Sequence, residues 1–292
     1  MKPAPFTYHA PDSLDGCLEL LAEHGDAAAL IAGGQSLLPL MRFRMAMPEH
    51  VISLRNIGGE LTSIRRTEAG IAIGAMVTYA DVQRSPEVRE LAPALLKVIP
   101  LIAHVGVRTR GTPCGNLCNA DPASELPAVA LALDARMHLR GPSGQRVVPA
   151  RDFFQGPYMT ARNSDEVLVC VEFPRRPPDE KFAIKEIVRL AGGFPMAGIA
   201  LAVRRNATSE SVASASVVCF GVHAVQSRLP AVEAILVERG CSPDAVRDAA
   251  ARIDEAIEPP GDAFASAQYR RAAVKTLFER CVREVCDGEG GR

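Results

Sequence analysis

The chain of 292 residues has almost no charge imbalance: 33 Lys and Arg against 34 Asp and Glu leave a formal net charge of -1. A dedicated nucleic-acid binder usually carries a basic excess, and no basic run supplies one here. No apolar stretch reaches the roughly 18 residues a membrane helix needs. The opening MKPAPFTYHAPDS lacks the apolar block of a signal peptide. The chain therefore reads as soluble and cytoplasmic, with no membrane span and no nucleic-acid partner. Zinc signatures are missing too. There is no HExxH and no CxxC, and the histidines (His9, His24, His50, His104, His138, His223) never form a close pair in sequence. No metal site is expected. No nucleophile triad or acidic dyad stands out, so no catalytic residue is assigned.

Eight cysteines in a chain this long do not make a disulfide framework. Cys17, Cys170, Cys219, Cys241, Cys281 and Cys286 stand singly and read as buried free thiols. Cys114 and Cys118 form a Cys-x-x-x-Cys pair. Two ligands do not complete an iron–sulfur site, and no other cysteines cluster to help them.

What is present is an ordinary globular mixture, 48% hydrophobic and 23% charged, in a chain long enough for two cores. PDSLDGCLELLAEHG has a helix start at Asp12 and Ser13, a stop at Gly25, and Leu14, Leu18 and Leu21 on one face. AALIA reads as a short buried strand and HVISL as another, so the first 55 or so residues predict a small βαβ unit. GIAIGA predicts a strand. TYADVQRSPEVRELAPALLKVI predicts helix broken at Pro86 and Pro93, and VRTRGTPCGNLCNADPASELP, residues 107–127, a loop rich in special residues. ELPAVALALDA is apolar nearly all round and predicts a buried helix. RMHLRGPSGQRVVP predicts a hairpin and EVLVCVEF a strong strand. PRRPPDE then breaks the chain. Beyond it, three strand patterns precede three helix patterns, an α+β arrangement. The domains expected are residues 1–175, with parts near 1–55 and 56–175, then 180–287, then a flexible tail at 288–292.

Two glycine-bearing loops hold the chemistry. Ala32-Gly33-Gly34-Gln35-Ser36 follows a strand and precedes SLLPLM, a short helix with Ser36 as its cap. It is not the G-x-G-x-x-G dinucleotide fingerprint. Two readings fit it. One is a packed turn. The other is an anion held on backbone N–H groups, which paired glycines, a hydroxyl and a helix start would favour. The second loop, RGTPCGNLCNADPASELP, offers Thr112, Asn116 and Asn119 to a polar ligand. Asp121 either accepts from a hydroxyl or caps the following helix.

AGGQSLLPLM, IGAMVTYADV and RGTPCGNLCNADPASELPAVALALDA together resemble the FAD-binding medium subunit of molybdenum hydroxylases, the flavoprotein family of carbon monoxide and xanthine dehydrogenases. The resemblance runs from about Pro5 to about Cys286. It implies an α+β fold: a two-part FAD domain of the vanillyl-alcohol-oxidase type, then a smaller domain of three antiparallel strands and a helical bundle. It implies that FAD binds this chain, while molybdopterin and two [2Fe-2S] clusters sit in partner subunits. Those partners are a small iron–sulfur subunit and a large molybdopterin subunit, joined as a dimer of heterotrimers. By position, Ala32, Gly33, Gly34, Gln35 and Ser36 would cradle the FAD pyrophosphate. Thr112, Gly115, Asn116 and Asn119 would line the second loop, and Asp121 would touch the cofactor. Asp165 and Leu168 would reach the flavin ring from the strand before the linker, and Arg189 would lie near the flavin.

The chain departs from the family at Pro113 and Cys114, where isoleucine and glycine are usual. Proline removes an N–H and cysteine adds a side chain. Lys185 stands one position out of step with a family lysine, so no flavin-binding lysine is assigned. Two rival functions remain beside an electron-transfer flavoprotein subunit. One is a stand-alone flavin oxidase, the other a scaffold that has lost FAD.

Overall fold

The computed structural model describes residues 2–206 and 211–286. The expected tail at 288–292 lies outside the described residues. The chain opens with strand β1 (Thr7–His9), helix α1 (Leu14–His24), strand β2 (Ala28–Ile31), helix α2 (Leu37–Arg42) and strand β3 (His50–Ser53). β3 lies between β1 and β2 and runs parallel to both. Ser13 starts α1 by accepting from the N–H of Gly16 at 3.1 Å. Cys17 and Leu21 form its buried stripe. β1 has no sequence signal, because its three residues are mostly exposed and show no alternation.

An antiparallel sheet follows. Strands β4 (Ile64–Arg66) and β5 (Gly70–Gly74) precede three short helices, α3 (Tyr79–Arg84), α4 (Pro86–Leu91) and α5 (Pro93–Val98). Pro86 and Pro93 each stand at a helix start, where the missing N–H is harmless. Residues 107–127, expected as loop, contain the end of helix α6 (Val105–Arg108), helix α7 (Pro113–Asn119) and the start of the next helix. Glycine and asparagine hid α7, yet Thr112 caps it and Pro113 begins it. Then come α8 (Glu125–Ala132), β6 (Arg136–Gly141), β7 (Gly144–Pro149), α9 (Ala150–Phe153), β8 (Phe154–Gly156), β9 (Met159–Thr160) and β10 (Val167–Pro174). The sheet order is β4-β5-β10-β6-β7, and the central β10 is buried along nearly all its length.

The last third is an antiparallel sheet of β11 (Glu180–Ile187), β12 (Ala197–Arg205) and β13 (Val212–Phe220), followed by helices α10 (Pro230–Arg239), α11 (Pro243–Ala256) and α12 (Ala267–Cys286). One face packs Ile199, Leu201 and Val217 on Leu236, Ile253 and Phe278. The other face, with Phe182, Ala200 and Phe220, joins the core of the first part. α8 fills the junction, with every residue buried, as its all-round apolar sequence requires.

Cys241 and Cys286 are joined in a disulfide, which corrects the expectation of free thiols there. The pairing is invisible in sequence because it depends on the ends of α10 and α12 coming within 6.4 Å between Cα atoms. The other six cysteines are free.

Candidate functional site

The two glycine-bearing loops meet. A Cβ on Gly33 would lie 2.0 Å from the carbonyl oxygen of Arg110 and 2.9 Å from Cα of Gly111. The close approach at Gly33 is therefore made by the second loop's own backbone. Gly34 has φ 71°, in the left-handed region, and a Cβ there would crowd Leu38 at 3.0 Å. The packed turn is real, and it locks the loops together.

Beside this contact lies a cleft of about 600 Å³. Ala32, Gly33, Gly34, Gln35 and Ser36 line it. Thr112, Gly115, Asn116 and Asn119 line it from the second loop, and Leu168 from the start of β10. Gly192, Gly193 and Phe194 bring the segment between β11 and β12 to the same cleft. Both parts of the chain thus contribute to one concavity.

Asp121, Asp165 and Arg189 do not line the cleft. Asp121 shapes the turn after α7: its Oδ1 accepts from the N–H of Ala123 at 2.9 Å and its Oδ2 from the Tyr158 hydroxyl at 3.3 Å. Asp165 sits in the turn ahead of β10 rather than on the strand. Arg189 is exposed, with its guanidinium 5.5 Å from the centre of the Phe264 ring. Lys185 pairs with Glu284 at 2.8 Å.

The donors of the first loop are suited to an anionic group. Among the described residues, the backbone N–H groups of Gly33, Gly34, Gln35 and Ser36 donate to no protein acceptor. Ser36 occupies the cap position of α2, but its hydroxyl makes no cap hydrogen bond. The Gln35 side chain donates to the Gly33 carbonyl at 3.1 Å, which holds the loop in shape. A run of unpaired N–H groups beside a cleft is an anion nest, and a pyrophosphate fits it.

The second loop is largely satisfied within the protein. Thr112 Oγ1 accepts from the N–H of Gly115 at 3.0 Å, and Asn116 Oδ1 accepts from Ser124 Oγ at 2.8 Å. The Asn116 side-chain oxygen is thus occupied, while its amide nitrogen remains a donor. Gln226, buried between the two parts, donates from Nε2 to the carbonyls of Asp121 and Pro122, each at 2.9 Å, and of Ser124 at 3.2 Å. Nothing in the sequence around Gln226 signals this clamp.

Further lining residues also lack a sequence signal. The Tyr79 hydroxyl is buried beside the Asn116 side chain, and burial pushes its pKa well up. Burial raises the Glu125 carboxyl to about 7. Glu186, on β11, does not line the cleft, and burial and then Glu125 push it to about 8. Arg162 is the one Lys or Arg side chain among the lining residues; it donates to the carbonyls of Asn163 at 2.8 Å and Glu166 at 2.7 Å.

Pro113 is at the first position of α7 and does not line the cleft, so the helix loses no needed donor there. Cys114 does line it. Its Sγ donates to the Ile73 carbonyl at 3.5 Å, and burial holds its thiol well above the usual range. Cys118 is pushed to about 11, also by burial. Neither is a ready thiolate for metal or redox chemistry.

Residues 4–176 match the family described as "FAD binding domain in molybdopterin dehydrogenase". Residues 182–285 match "CO dehydrogenase flavoprotein C-terminal domain". The carbon monoxide dehydrogenase medium chain of Hydrogenophaga pseudoflava is 34% identical over 97% of this chain and 97% of its own. The glyceraldehyde dehydrogenase medium chain of Sulfolobus acidocaldarius is 33% identical over 98% of this chain and 100% of its own. Among solved structures, reconstituted CO dehydrogenase from Oligotropha carboxidovorans is similar at a TM-score of 0.94 and 32% identity, covering 98% of this chain and 99% of that one.

Proposed function

Because the chain belongs to the FAD-binding medium subunits of the molybdenum hydroxylase family, we propose that it passes electrons from an iron–sulfur partner to an external acceptor through FAD held in the cleft. The carrying observation is the run of unpaired N–H groups at Gly33 to Ser36 beside that cleft. Bound FAD supplies the electron-transfer chemistry, and the protein supplies position and surroundings. The N–H groups of residues 33–36 and the Ser36 hydroxyl bind the pyrophosphate. The amide nitrogens of Asn116 and Asn119 orient the cofactor from the second loop. Leu168 and the Tyr79 ring give the cleft apolar wall. Asp121 acts by shaping the second loop. No contact is assigned to Asp165 or Arg189.

The partner reading is a small subunit carrying two [2Fe-2S] clusters and a large molybdopterin subunit, in a dimer of heterotrimers. Substrate oxidation then takes place in the large subunit, so this chain needs no general base. The exposed Phe43, Met45 and Met47 after α2 offer apolar surface suited to such an assembly. No helix among the described residues is long and apolar enough to cross a membrane.

The visible absorption spectrum of the purified chain and its complex tests this reading. Oxidised-flavin bands, with FAD released on denaturation, are expected, together with an iron–sulfur partner in the purified complex. A colourless protein that takes up no added FAD, alone or in the complex, would overturn it.

A further inference from the structure

Three of the histidines that are scattered in sequence come together away from the cleft. His9 ends β1, His24 ends α1 and His50 opens β3. The β1–β3 ladder pairs His9 with Ile52, so His9 and His50 project from the same face of the sheet. α1 brings the His24 ring flat onto His50, with centroids 3.7 Å apart and planes within 4°. His9 Nε2 lies 2.9 Å from His50 Nδ1. Taking one ring nitrogen from each residue, all three lie within 4.8 Å of one another. None of the three lines the cleft.

This cluster has the chemistry of a ligand set. The contact between His9 and His50 holds only one proton, so one of the two nitrogens already offers a lone pair. Neutral imidazoles suit zinc, copper and nickel. Zinc–nitrogen bonds of about 2.0–2.1 Å on a tetrahedron place ligand nitrogens roughly 3.3 Å apart. The His9–His50 pair is already at 2.9 Å and all three nitrogens lie within 4.8 Å, so rotating the stacked rings to converge on one ion brings them to it. Glu23 Oε1 lies 4.0 Å from His24 Nε2 and is well exposed, within reach as a fourth ligand where water does not fill the position.

We propose that His9, His24 and His50 bind one divalent transition-metal ion, with zinc as the reference ion. On binding, metal–nitrogen bonds replace the His9–His50 hydrogen bond; the donor ring changes tautomer, its proton moving to its other nitrogen by exchange with solvent, so both imidazoles stay neutral and no electron is transferred. The ion would tie β1, α1 and β3 together and so brace the unit from which the 32–36 loop emerges.

The test uses the full chain, stripped with chelator and then titrated with Co²⁺ and Zn²⁺. One ion per chain is expected, with Co²⁺ ligand-field absorption that Zn²⁺ displaces and a melting temperature that rises with Zn²⁺. His50→Ala abolishes all three signals, His24→Ala and His9→Ala weaken them, and His223→Gln leaves them unchanged. Circular dichroism confirms that each variant is folded. If a variant fails to fold, histidine-ring resonances of the unmodified chain decide: Zn²⁺ shifts those of three histidines and leaves the other three in place. Absence of saturable binding, binding that survives the combined His9→Ala, His24→Ala, His50→Ala variant, or unshifted ring resonances would overturn the proposal.

Discussion

The two loops around the cleft have similar compositions and opposite hydrogen-bonding states. In the first, Gly33 to Ser36 leave their backbone donors unpaired beside the cleft. In the second, Thr112 holds the N–H of Gly115, Ser124 holds Asn116, Asp121 holds the N–H of Ala123, and Gln226 clamps three carbonyls. One loop presents donors, while the other is built to hold its place. Glycine and asparagine content does not tell these roles apart. Following each donor to its acceptor does.

The contact between the loops is the most exposed point of this comparison. Gly33→Ala puts a methyl against the Arg110 carbonyl, and the second loop must move. We expect a loss on the order of 3 kcal/mol in stability and little retained FAD, read by denaturant unfolding and flavin release. Normal FAD content in that variant would show that the loops do not depend on each other.

Gln226→Ala asks how much the second loop owes to its clamp. It leaves the carbonyls of Asp121, Pro122 and Ser124 without that donor, a cost of about 2 kcal/mol. FAD affinity should fall as well, although Gln226 does not line the cleft. A stability loss with unchanged affinity would mean that the clamp does not position the site.

Glu125 gives a pH-dependent version of the test, since its carboxyl borders both the second loop and the cleft. Its pKa is raised from 4.5 to about 7 by burial, so the folded chain keeps a proton that the unfolded chain has lost. Stability therefore falls as pH rises through that interval and levels off above it. Glu125→Gln removes this decline. Urea unfolding should show the variant more stable than the parent by on the order of 2 kcal/mol on the alkaline side and equal to it on the acid side. Glu186, raised to about 8 by burial and then by Glu125, adds a decline of its own that runs on to about that pH in the parent and is smaller in the variant, where the Glu125 charge is gone.

The smallest effects separate the two hydroxyls. Ser36→Ala removes no hydrogen bond within the protein, so stability should hold within about 0.5 kcal/mol. FAD should bind about tenfold more weakly, the loss of one hydrogen bond to a charged group. Thr112→Ala removes the cap of α7 and should cost about 1 kcal/mol of stability. Calorimetric FAD titration beside thermal unfolding checks both. Equal behaviour of the two variants would erase the distinction between the loops.

Much of this architecture can be read directly from residue patterns. The continuous apolar run of β12 marks a strand covered on both faces, and α8 is apolar all round because it lies between two packed layers. Caps and helix-start prolines mark most helix beginnings. What escaped was non-local. Gly33 is bare because of Arg110, a neighbour that only the fold supplies. Asp121 and Asp165 have polar partners or turn positions near the cleft, and sequence cannot aim a side chain over those few ångströms. The Cys241–Cys286 pair, the Gln226 clamp and the three-histidine cluster each join residues far apart in the chain. α7 was masked by a composition that also describes loops.

The central claim is that the unpaired donors of Gly33 to Ser36 hold the FAD pyrophosphate. A crystal structure of the chain with FAD tests it most directly. The account predicts pyrophosphate oxygens within hydrogen-bonding distance of those N–H groups, with the Gly33–Arg110 contact intact. A pyrophosphate seated elsewhere, with the same N–H groups facing water, would contradict it.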